Sequence, residues 1–427
     1  FRRGLSAASG ARDLDADLDT AIDLGGTRSR SKFMQNRLVS RIVLVFLLIG
    51  LLVSRPFATE GMAQTTPSPA LFETKAAQVY LIEASTGTVL LAKGERQPFA
   101  PASLAKLMTL DVVFDALTRG EIRLDTIYPV SEYAWRTGGA PSRTSTMFAA
   151  VKSQVPVGDL VKGVAVQTAN DGCLILAEGM AGSEAKFVER MNARAKALGL
   201  KDTVFGNATG LPHPDNVSTL VDLVTLAQHL QATYPELYLT FKLPEFEWNK
   251  ILQRNRNPLL GIGADGLGTG YAEGSGFAIV ASAERDGRRL FLGMNGLATD
   301  KERTDEARRV LDWGFGAFEM RELFKAGEVI SEASVYGGAR STVPLVAAQP
   351  VLVYVPVNNP DRLQAKVVYR WPLDPPVAEG AQIASLSVFS GERLLRNVPL
   401  QSASSVEVGT LRQRATDAFI EMLFFWL

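Results

Sequence analysis

The sequence has little of the residues that the commonest hydrolytic and metal sites need. Among 427 residues there is one cysteine, Cys173, and there are two histidines, His213 and His229. One cysteine excludes an intrachain disulfide, and these few ligands exclude a zinc finger and disfavour a His-based zinc site. A Ser-His-Asp triad would need one of the two histidines, so a hydrolase with this sequence is expected to use another base. We expect no metal and no cofactor.

The sequence also lacks an excess of charge of either sign. Its 45 Lys and Arg residues balance 45 Asp and Glu residues, so nothing attracts nucleic acid electrostatically, and no nucleic-acid partner is expected. Hydrophobic residues make up 46% and charged ones 21% of the chain, which permits a large core and excludes global disorder. The length predicts two or three domains.

The N-terminal region is typical of an export signal. Residues 34–63 combine a basic start with Arg37 and Arg41, the apolar run 42–53 and small residues at 61–63 that suit a cleavage site. A run of 12 apolar residues is short for a membrane span. We therefore predict a signal peptide, with an uncleaved anchor as the alternative. Residues 1–33 are interpreted as a non-native upstream extension, or as a cytoplasmic tail if cleavage fails.

Apolar periodicity and turn residues predict an α+β domain over 70–328, because helices and an antiparallel sheet share this region. The expected hairpins are 79–94 and 277–296, the second turning at Arg285-Asp286-Gly287. The expected helices are one starting near Pro101, two within 159–198, and further ones at 219–233 and 304–318.

The C-terminal third has a different pattern. Short β-branched runs separated by Pro, Gly, Asn and Asp predict a small all-β domain at 332–407. Residues 408–427 predict an amphipathic helix that lies in a membrane interface or, alternatively, docks on the protein itself. Its apolar face would carry Phe419, Met422, Leu423 and Trp426, and its polar face Arg414, Asp417 and Glu421.

Three short segments carry candidate chemistry. The first is Ser103-Leu104-Ala105-Lys106, in which the lysine amine lies one turn from the serine hydroxyl and can accept its proton. Two other Ser-x-x-Lys copies, 29–32 and 183–186, are interpreted as upstream sequence and as a solvated segment within a helix.

The second segment, Thr168-Ala169-Asn170, places a hydroxyl and a carboxamide on a loop before a helix, where the hydroxyl can relay a proton. The alternative is an N-cap at Asn170 or Asp171. The third is 265–271, Asp-Gly-Leu-Gly-Thr-Gly-Tyr, which predicts a strand beside which a substrate backbone can lie. The alternative there is a glycine-rich turn.

The order of these segments resembles the S-x-x-K, S-x-N and K-T-G motifs of the D-alanyl-D-alanine carboxypeptidases, the low-molecular-mass penicillin-binding proteins. Longer segments carry the resemblance further, from about residue 76 to the C-terminus. They are PASLAKLMT, GLPHPDNVST, QRNRNPLL, TGYAEGSGFAIVASAERDGRRL and KERTDEARRVLDWGF.

The resemblance implies a β-lactamase/transpeptidase-like catalytic domain with a helical subdomain. It implies that Ser103 is the acylated nucleophile, Lys106 the general base, and Asn170 the residue that orients Lys106 and the substrate amide. The backbone N–H groups of Ser103 and Tyr271 would form the oxyanion hole. Substrate binding would involve Gly268, Thr269, Gly270 and Tyr271, with Thr269 and Arg303 binding the terminal carboxylate.

Two positions depart from the family pattern. Thr168 replaces the usual Ser, which keeps a hydroxyl but stiffens χ1 and predicts a reduced proton relay. Gly268 replaces the Lys of K-T-G and removes a positive charge near the Ser hydroxyl and the substrate carboxylate. The similar triplet at 136–138, Arg-Thr-Gly, comes too early in the chain. We expect His213 at the cleft rim, His229 exposed and Cys173 buried in a helix.

The resemblance implies an exported serine carboxypeptidase at the periplasmic face of the inner membrane, held there by its C-terminal helix. It would remove D-Ala from peptidoglycan pentapeptides, and β-lactams would acylate it. The alternative is a pseudoenzyme or peptidoglycan-binding protein, because Gly268 has removed the cation. A class A β-lactamase is a third possibility that the β domain and tail disfavour.

Overall fold

The computed structural model describes residues 23–24, 72–357 and 363–424. The predicted signal peptide 34–63 lies outside the described residues, as do Trp426 and all of 1–33 except strand β1 (Asp23–Leu24). Within the described ranges, no helix is both long enough and apolar enough to cross a membrane.

The helices lie mainly in the first two thirds of the chain. They are α1 Lys106–Thr118, α2 Glu132–Gly138, α3 Val157–Gln167, α4 Asn170–Ala181, α5 Glu184–Ala197, α6 Leu220–Thr233, α7 Pro235–Tyr238, α8 Asp300–Gly316 and α9 Leu411–Phe424. Short 3₁₀ turns occur at Ala102–Ala105, Ala140–Ser142, Leu239–Lys242 and Leu260–Ile262.

Among the described residues, the strands form two larger sheets and three two-stranded ones. The strands of the first domain are β2 Gln78–Glu83, β3 Val89–Lys93, β4 Ile127–Pro129, β5 Gln154–Pro156, β6 Glu245–Trp248, β7 Ile251–Arg254, β8 Ala264–Ala272, β9 Gly276–Arg285 and β10 Arg288–Leu297. Those of the second are β11 Phe318–Phe324, β12 Val329–Ser334, β13 Thr342–Val346, β14 Val351–Pro356, β15 Leu363–Tyr369, β16 Gln382–Ser390 and β17 Arg393–Ser402.

The central sheet of the first domain is antiparallel, with strand order β3-β2-β10-β9-β8. Successive side chains on a strand point to opposite faces of the sheet, and residues from both faces pack into apolar cores. On β10, Leu290 packs into the core beneath α8, whereas Phe291 packs into the larger core shared with the other helices. On the α8 side, a Cβ at Gly314 would lie 2.7 Å from Leu81, so helix and sheet are in close contact. The predicted α+β class is confirmed.

Local sequence signals explain the parts that were predicted correctly. The hairpin β9–β10 turns at Asp286 and Gly287, both with left-handed φ (51° and 75°), as a two-residue hairpin turn requires. Helix α5 ends before Gly199, which has φ 73° and allows the chain to leave the helix.

Three local predictions were wrong. Residues 159–198 form three helices rather than two, because Thr168 adopts a left-handed φ of 56° that ends α3. Helix α8 begins at Asp300 rather than 304, because the Thr299 hydroxyl caps it by accepting a hydrogen bond from the Glu302 backbone. The Glu302 carboxylate in turn accepts a hydrogen bond from the Ala298 backbone N–H. Ser183 is not within a helix but is the N-cap of α5.

The second domain is all β, as predicted. Its main sheet has strand order β1-β15-β16-β17-β13-β12, and β11 pairs with β14. Alternate residues of β15, β16 and β17 point into one separate apolar core, in which Leu386, Val388 and Leu400 are fully buried.

Helix α9 contacts the β domain through polar side chains. The Asp417 carboxylate accepts a hydrogen bond from the Gly337 backbone at 3.0 Å, and the Gln413 amide donates to the Ala339 carbonyl at 3.2 Å. Phe419 and Met422 are more than half exposed. The apolar side chains described on this helix therefore face away from the protein.

Candidate active site

The Ser-x-x-Lys segment lies where a 3₁₀ turn joins a long helix. Ser103 belongs to the turn Ala102–Ala105, and Lys106 is the first residue of α1. In 3₁₀ geometry, side chains three residues apart eclipse one another. Lys106 Nζ accordingly lies 2.9 Å from Ser103 Oγ, and it donates a second hydrogen bond to the Thr209 carbonyl at 2.5 Å.

Lys106 is buried, with 3% of its surface exposed. Burial removes the hydration of the ammonium group and lowers the pKa of Lys106 to about 8, an effect that the neighbouring Cys173 partly opposes. As an ammonium, Lys106 donates to Ser103. Once deprotonated, its lone pair can accept the Ser103 proton. The pair therefore supplies a nucleophile and a base without histidine.

The backbone around the nucleophile is held by a close contact with Gly210. Ala102 has a left-handed φ of 48°, and a Cβ at Gly210 would lie 1.8 Å from the Ala102 carbonyl oxygen. Gly210 itself has φ 74°. Both facts require glycine at this position. The loop that carries Gly210 therefore closes directly onto the backbone beside Ser103.

Asn170 begins α4 and is buried beside the cleft. Its amide Nδ2 donates to Thr144 Oγ1 at 2.9 Å, and its backbone N–H donates to the Ser145 carbonyl at 2.8 Å. Its Oδ1 is buried and has no partner among the described residues. The structure does not show the expected bond from Asn170 to Lys106. The capping alternative is also wrong, because Ala169 is the N-cap and no side chain caps this helix.

Asp171 fixes the segment that carries Thr144. Its fully buried carboxylate accepts hydrogen bonds from the Thr146 hydroxyl (2.6 Å) and from the Met147 and Ala149 backbones (2.9 and 3.1 Å). Burial raises the pKa of Asp171, and these bonds oppose the rise. Asp171 on α4 thus positions the segment that carries Thr144, the hydrogen-bond partner of Asn170. The sequence did not reveal this arrangement.

The third segment is a strand, so the glycine-rich turn is excluded. Thr269 and Tyr271 lie on β8, the edge strand of the central sheet. Within the described part of the chain, β8 pairs only with β9. Its other edge is available to an extended peptide.

Gly268 and Gly270 share one face of β8 but differ in the space around them. A Cβ at Gly268 would meet only Leu104, at 3.8 Å, which is an ordinary contact. A Cβ at Gly270 would lie 2.9 Å from the Pro101 carbonyl oxygen. A Cβ is therefore tolerated at position 268, whereas at position 270 it would clash with the backbone.

Ser103 opens into a cleft of about 490 Å³. Its lining residues are Ala102, Ser103, Arg143, Thr144, Ser145, Thr146, Phe148, Gln167, Asn170, Gly210, Leu211, Pro212, Arg256 and Tyr271. None of these described residues is acidic. Sequence reasoning did not single out Arg143 or Arg256 as site residues, although Arg256 lies within the quoted segment QRNRNPLL.

Six of the nine predicted site residues lie outside this lining, namely Lys106, Thr168, Gly268, Thr269, Gly270 and Arg303. Thr168 is half-buried at the end of α3, and its hydroxyl makes no hydrogen bond within the described structure. Arg303 is buried on α8 and forms an ion pair with Asp300 at 2.6 Å, and burial lowers its pKa. Arg136, of the early Arg-Thr-Gly triplet, pairs with Glu132 on α2.

The histidines and the cysteine take no part in the cleft. His213 is exposed on the loop that follows the cleft residues Leu211 and Pro212. His229 was expected to be exposed but is half-buried, 3.2 Å from the Asp111 carboxylate. Cys173 is buried, which raises its pKa to about 12. No group of His, Cys, Asp and Glu suited to a metal ion occurs among the described residues.

The chain resembles known proteins over nearly all of this architecture. A family model described as D-alanyl-D-alanine carboxypeptidase matches residues 62–296, and one described as penicillin-binding protein 5, C-terminal domain, matches 318–408. The D-alanyl-D-alanine carboxypeptidase DacC of Escherichia coli is 36% identical over 81% of this chain and 87% of its own length.

Solved structures agree in fold. Penicillin-binding protein 5 from Haemophilus influenzae superposes with a TM-score of 0.66 at 33% identity, over 79% of this chain and 98% of that one. Penicillin-binding protein D2 from Listeria monocytogenes, in its cefotaxime-bound form, gives a TM-score of 0.50 at 28% identity, over 57% of this chain and 98% of that one.

Proposed function

Since this chain belongs to the D-alanyl-D-alanine carboxypeptidase family, we propose that it is a serine carboxypeptidase that removes the terminal D-Ala of peptidoglycan stem pentapeptides. The observation that carries the proposal is the 2.9 Å contact between Lys106 Nζ and Ser103 Oγ in a cleft that is open to a peptide. This is the spacing that proton transfer from a serine to a lysine base requires.

Acylation begins when neutral Lys106 accepts the proton of Ser103, whose Oγ attacks the carbonyl between the two D-alanines. The resulting oxyanion is stabilised by the backbone N–H groups of Ser103 and Tyr271, which line the same cleft. Collapse of this intermediate breaks the peptide bond, and the leaving amine takes from Lys106 the proton that came from Ser103 and departs as D-Ala. Water then hydrolyses the acyl-Ser103 ester.

The substrate backbone lies along the free edge of β8. The buried Oδ1 of Asn170, which has no partner in the described structure, accepts an N–H of the substrate. Thr269 on β8 binds the terminal carboxylate. Arg303 pairs with Asp300 through one guanidinium nitrogen, and its buried Nε has no partner in the described structure, so its role at the carboxylate stays a prediction. Thr168 relays a proton weakly, because its β-branched side chain is stiff at χ1.

β-Lactams acylate Ser103 as substrate mimics, and this gives a direct test. We expect a fluorescent penicillin to label the wild-type protein but not Ser103→Ala. We also expect the wild type to release D-Ala from a peptide that ends in D-Ala–D-Ala. Absence of both labelling and release would refute the proposal.

The second candidate function is a binding module that holds the peptide without turnover. Gly268 supports it, because the family motif has a lysine there. The two functions separate in one comparison. A binding module binds the peptide, but it does not react with the fluorescent penicillin and does not release D-Ala. An impaired enzyme reacts slowly with the penicillin, and this reaction depends on Ser103.

The enzyme is exported and acts at the periplasmic face of the inner membrane. Helix α9 holds it there, which is supported by its exposed Leu411, Phe419 and Met422 and by the contacts of its polar side chains with the β domain. We expect the full chain to bind vesicles, and a chain ending at residue 408 to remain in solution. N-terminal sequencing of the exported protein tests for cleavage after residue 63.

A further inference from the structure

The cleft has a net positive charge that the motifs do not account for. Arg143 and Arg256 line it, and no acidic residue does so in the described structure. They come from separate parts of the fold. Arg143 ends the 3₁₀ turn Ala140–Ser142, and Arg256 follows β7. Arg256 already has a partner, because its Nε donates to the Gln167 side chain at 3.2 Å.

Of the two arginines that line the cleft, Arg143 is the one whose guanidinium has no partner in the described structure. Its side chain is exposed, and within the described part of the chain it forms neither a hydrogen bond nor an ion pair. It precedes Thr144, whose hydroxyl is bonded to Asn170. The guanidinium is therefore carried by the segment that forms the Asn170 wall of the cleft.

The backbone at this position favours a different residue. Arg143 has a left-handed φ of 56°. Glycine adopts that conformation without steric cost, whereas a residue with a Cβ does not. Glycine could therefore replace Arg143 without steric cost to the backbone.

We propose, on the basis of the proposed function, that Arg143 binds the terminal carboxylate of the peptide. Its guanidinium supplies positive charge to the cleft of a chain in which glycine replaces the lysine of the family motif at position 268. A guanidinium can donate two parallel hydrogen bonds to a carboxylate, and the interaction is strong in a cleft that holds no competing acid.

The test is equilibrium binding by Ser103→Ala, which cannot be acylated and so reports binding alone. The probes are diacetyl-L-Lys-D-Ala-D-Ala, whose only carboxylate is terminal, and its C-terminal amide. Arg143→Gln is expected to weaken binding of the acid about tenfold and to leave binding of the amide unchanged. Arg143→Lys, which keeps the charge, is expected to retain most of the affinity.

Two variants separate charge from structure. Arg143→Gly is expected to weaken binding as Arg143→Gln does, while the thermal midpoint stays equal or rises because the backbone strain is relieved. Arg308→Gln is the matched control, since Arg308 is exposed on α8 and lies outside the cleft lining. It is expected to change nothing.

A lysine introduced at Gly268 is expected to reduce the loss caused by Arg143→Gln, because the two cations would serve one carboxylate. The inference is overturned if Arg143→Gln binds the acid normally, if the amide shows the same loss, or if Ser103→Ala binds neither peptide. Failure of the wild type to release D-Ala or to react with penicillin, alongside Arg143-dependent binding of the acid, would refute the proposed activity and support this inference.

Discussion

Lys106 Nζ lies 2.9 Å from Ser103 Oγ and is shielded from water. Because Ser103 lies in the 3₁₀ turn and Lys106 begins α1 directly after it, the two side chains eclipse one another across the junction. The same burial that aligns the pair lowers the pKa of Lys106 to about 8. Catalysis and stability are therefore both linked to the protonation of one lysine.

Acylation is expected to accelerate with pH. Only neutral Lys106 can accept the Ser103 proton, and its pKa is about 8. The second-order rate of penicillin labelling should therefore rise about tenfold per pH unit below 8 and level off above it. The measurement is a series of labelling rates from pH 6 to 9.5. A rate that is constant over this range would contradict the assignment of Lys106 as base.

Stability is expected to rise with pH in the alkaline range. Between the folded pKa of about 8 and the ordinary value of 10.5, the unfolded chain binds the proton that folded Lys106 has lost. Unfolding in denaturant should show a gain of the order of 3 kcal/mol across this window. Lys106→Met should remove the gain and be at least as stable as the wild type at pH 7, yet fail to react with penicillin. An unchanged pH profile in Lys106→Met would refute this link.

Gly268→Lys is expected to raise the labelling rate by at least tenfold. The added charge stabilises the transition state, and the space at position 268 accepts a Cβ. Gly270→Ala serves as the contrast, because its Cβ would lie 2.9 Å from the Pro101 carbonyl and should lower the rate. If Gly268→Lys labels no faster than the wild type, our interpretation of this departure from the motif is wrong.

Asp171→Asn is expected to lower the labelling rate about tenfold and to destabilise the fold by about 1–3 kcal/mol, because three donors of the segment 146–149 lose a charged acceptor. Asp222→Asn is the matched control. Asp222 is equally buried and accepts bonds from Asp202 and Thr203, but it lies away from the cleft. It should lose stability without losing labelling per folded molecule. Equal losses of labelling in both variants would show that Asp171 has only a structural role.

Gly210→Ala is expected to abolish labelling, because its Cβ would displace the backbone at Ala102 and Ser103. Gly182→Ala provides the comparison. Gly182 has a similar φ of 78°, but no atom lies within 4 Å of its added Cβ. It should cost only about 1 kcal/mol of stability and leave labelling intact. Normal labelling of Gly210→Ala would show that the loop is not packed on the nucleophile as described.

Local features of the sequence were sufficient for much of the fold. The hairpin at Asp286-Gly287 follows from turn chemistry, and the β domain follows from alternating β-branched runs. Helix boundaries were less reliable, because Thr168 ends α3 in a left-handed conformation that threonine rarely adopts. That conformation depends on packing rather than on local propensity.

The sequence by itself determined the order of the motifs, the pair Ser103 and Lys106, and the missing lysine at Gly268. Only the tertiary structure decided which other residues share the cleft. Arg143 and Arg256 are 113 positions apart in the sequence, and both line the cleft because separate loops fold onto it. It also decided that Arg303 is paired with Asp300 and that Lys106 is buried. Spacing along a helix or strand is a local property, whereas desolvation and convergence of charge depend on contacts between segments distant in the chain.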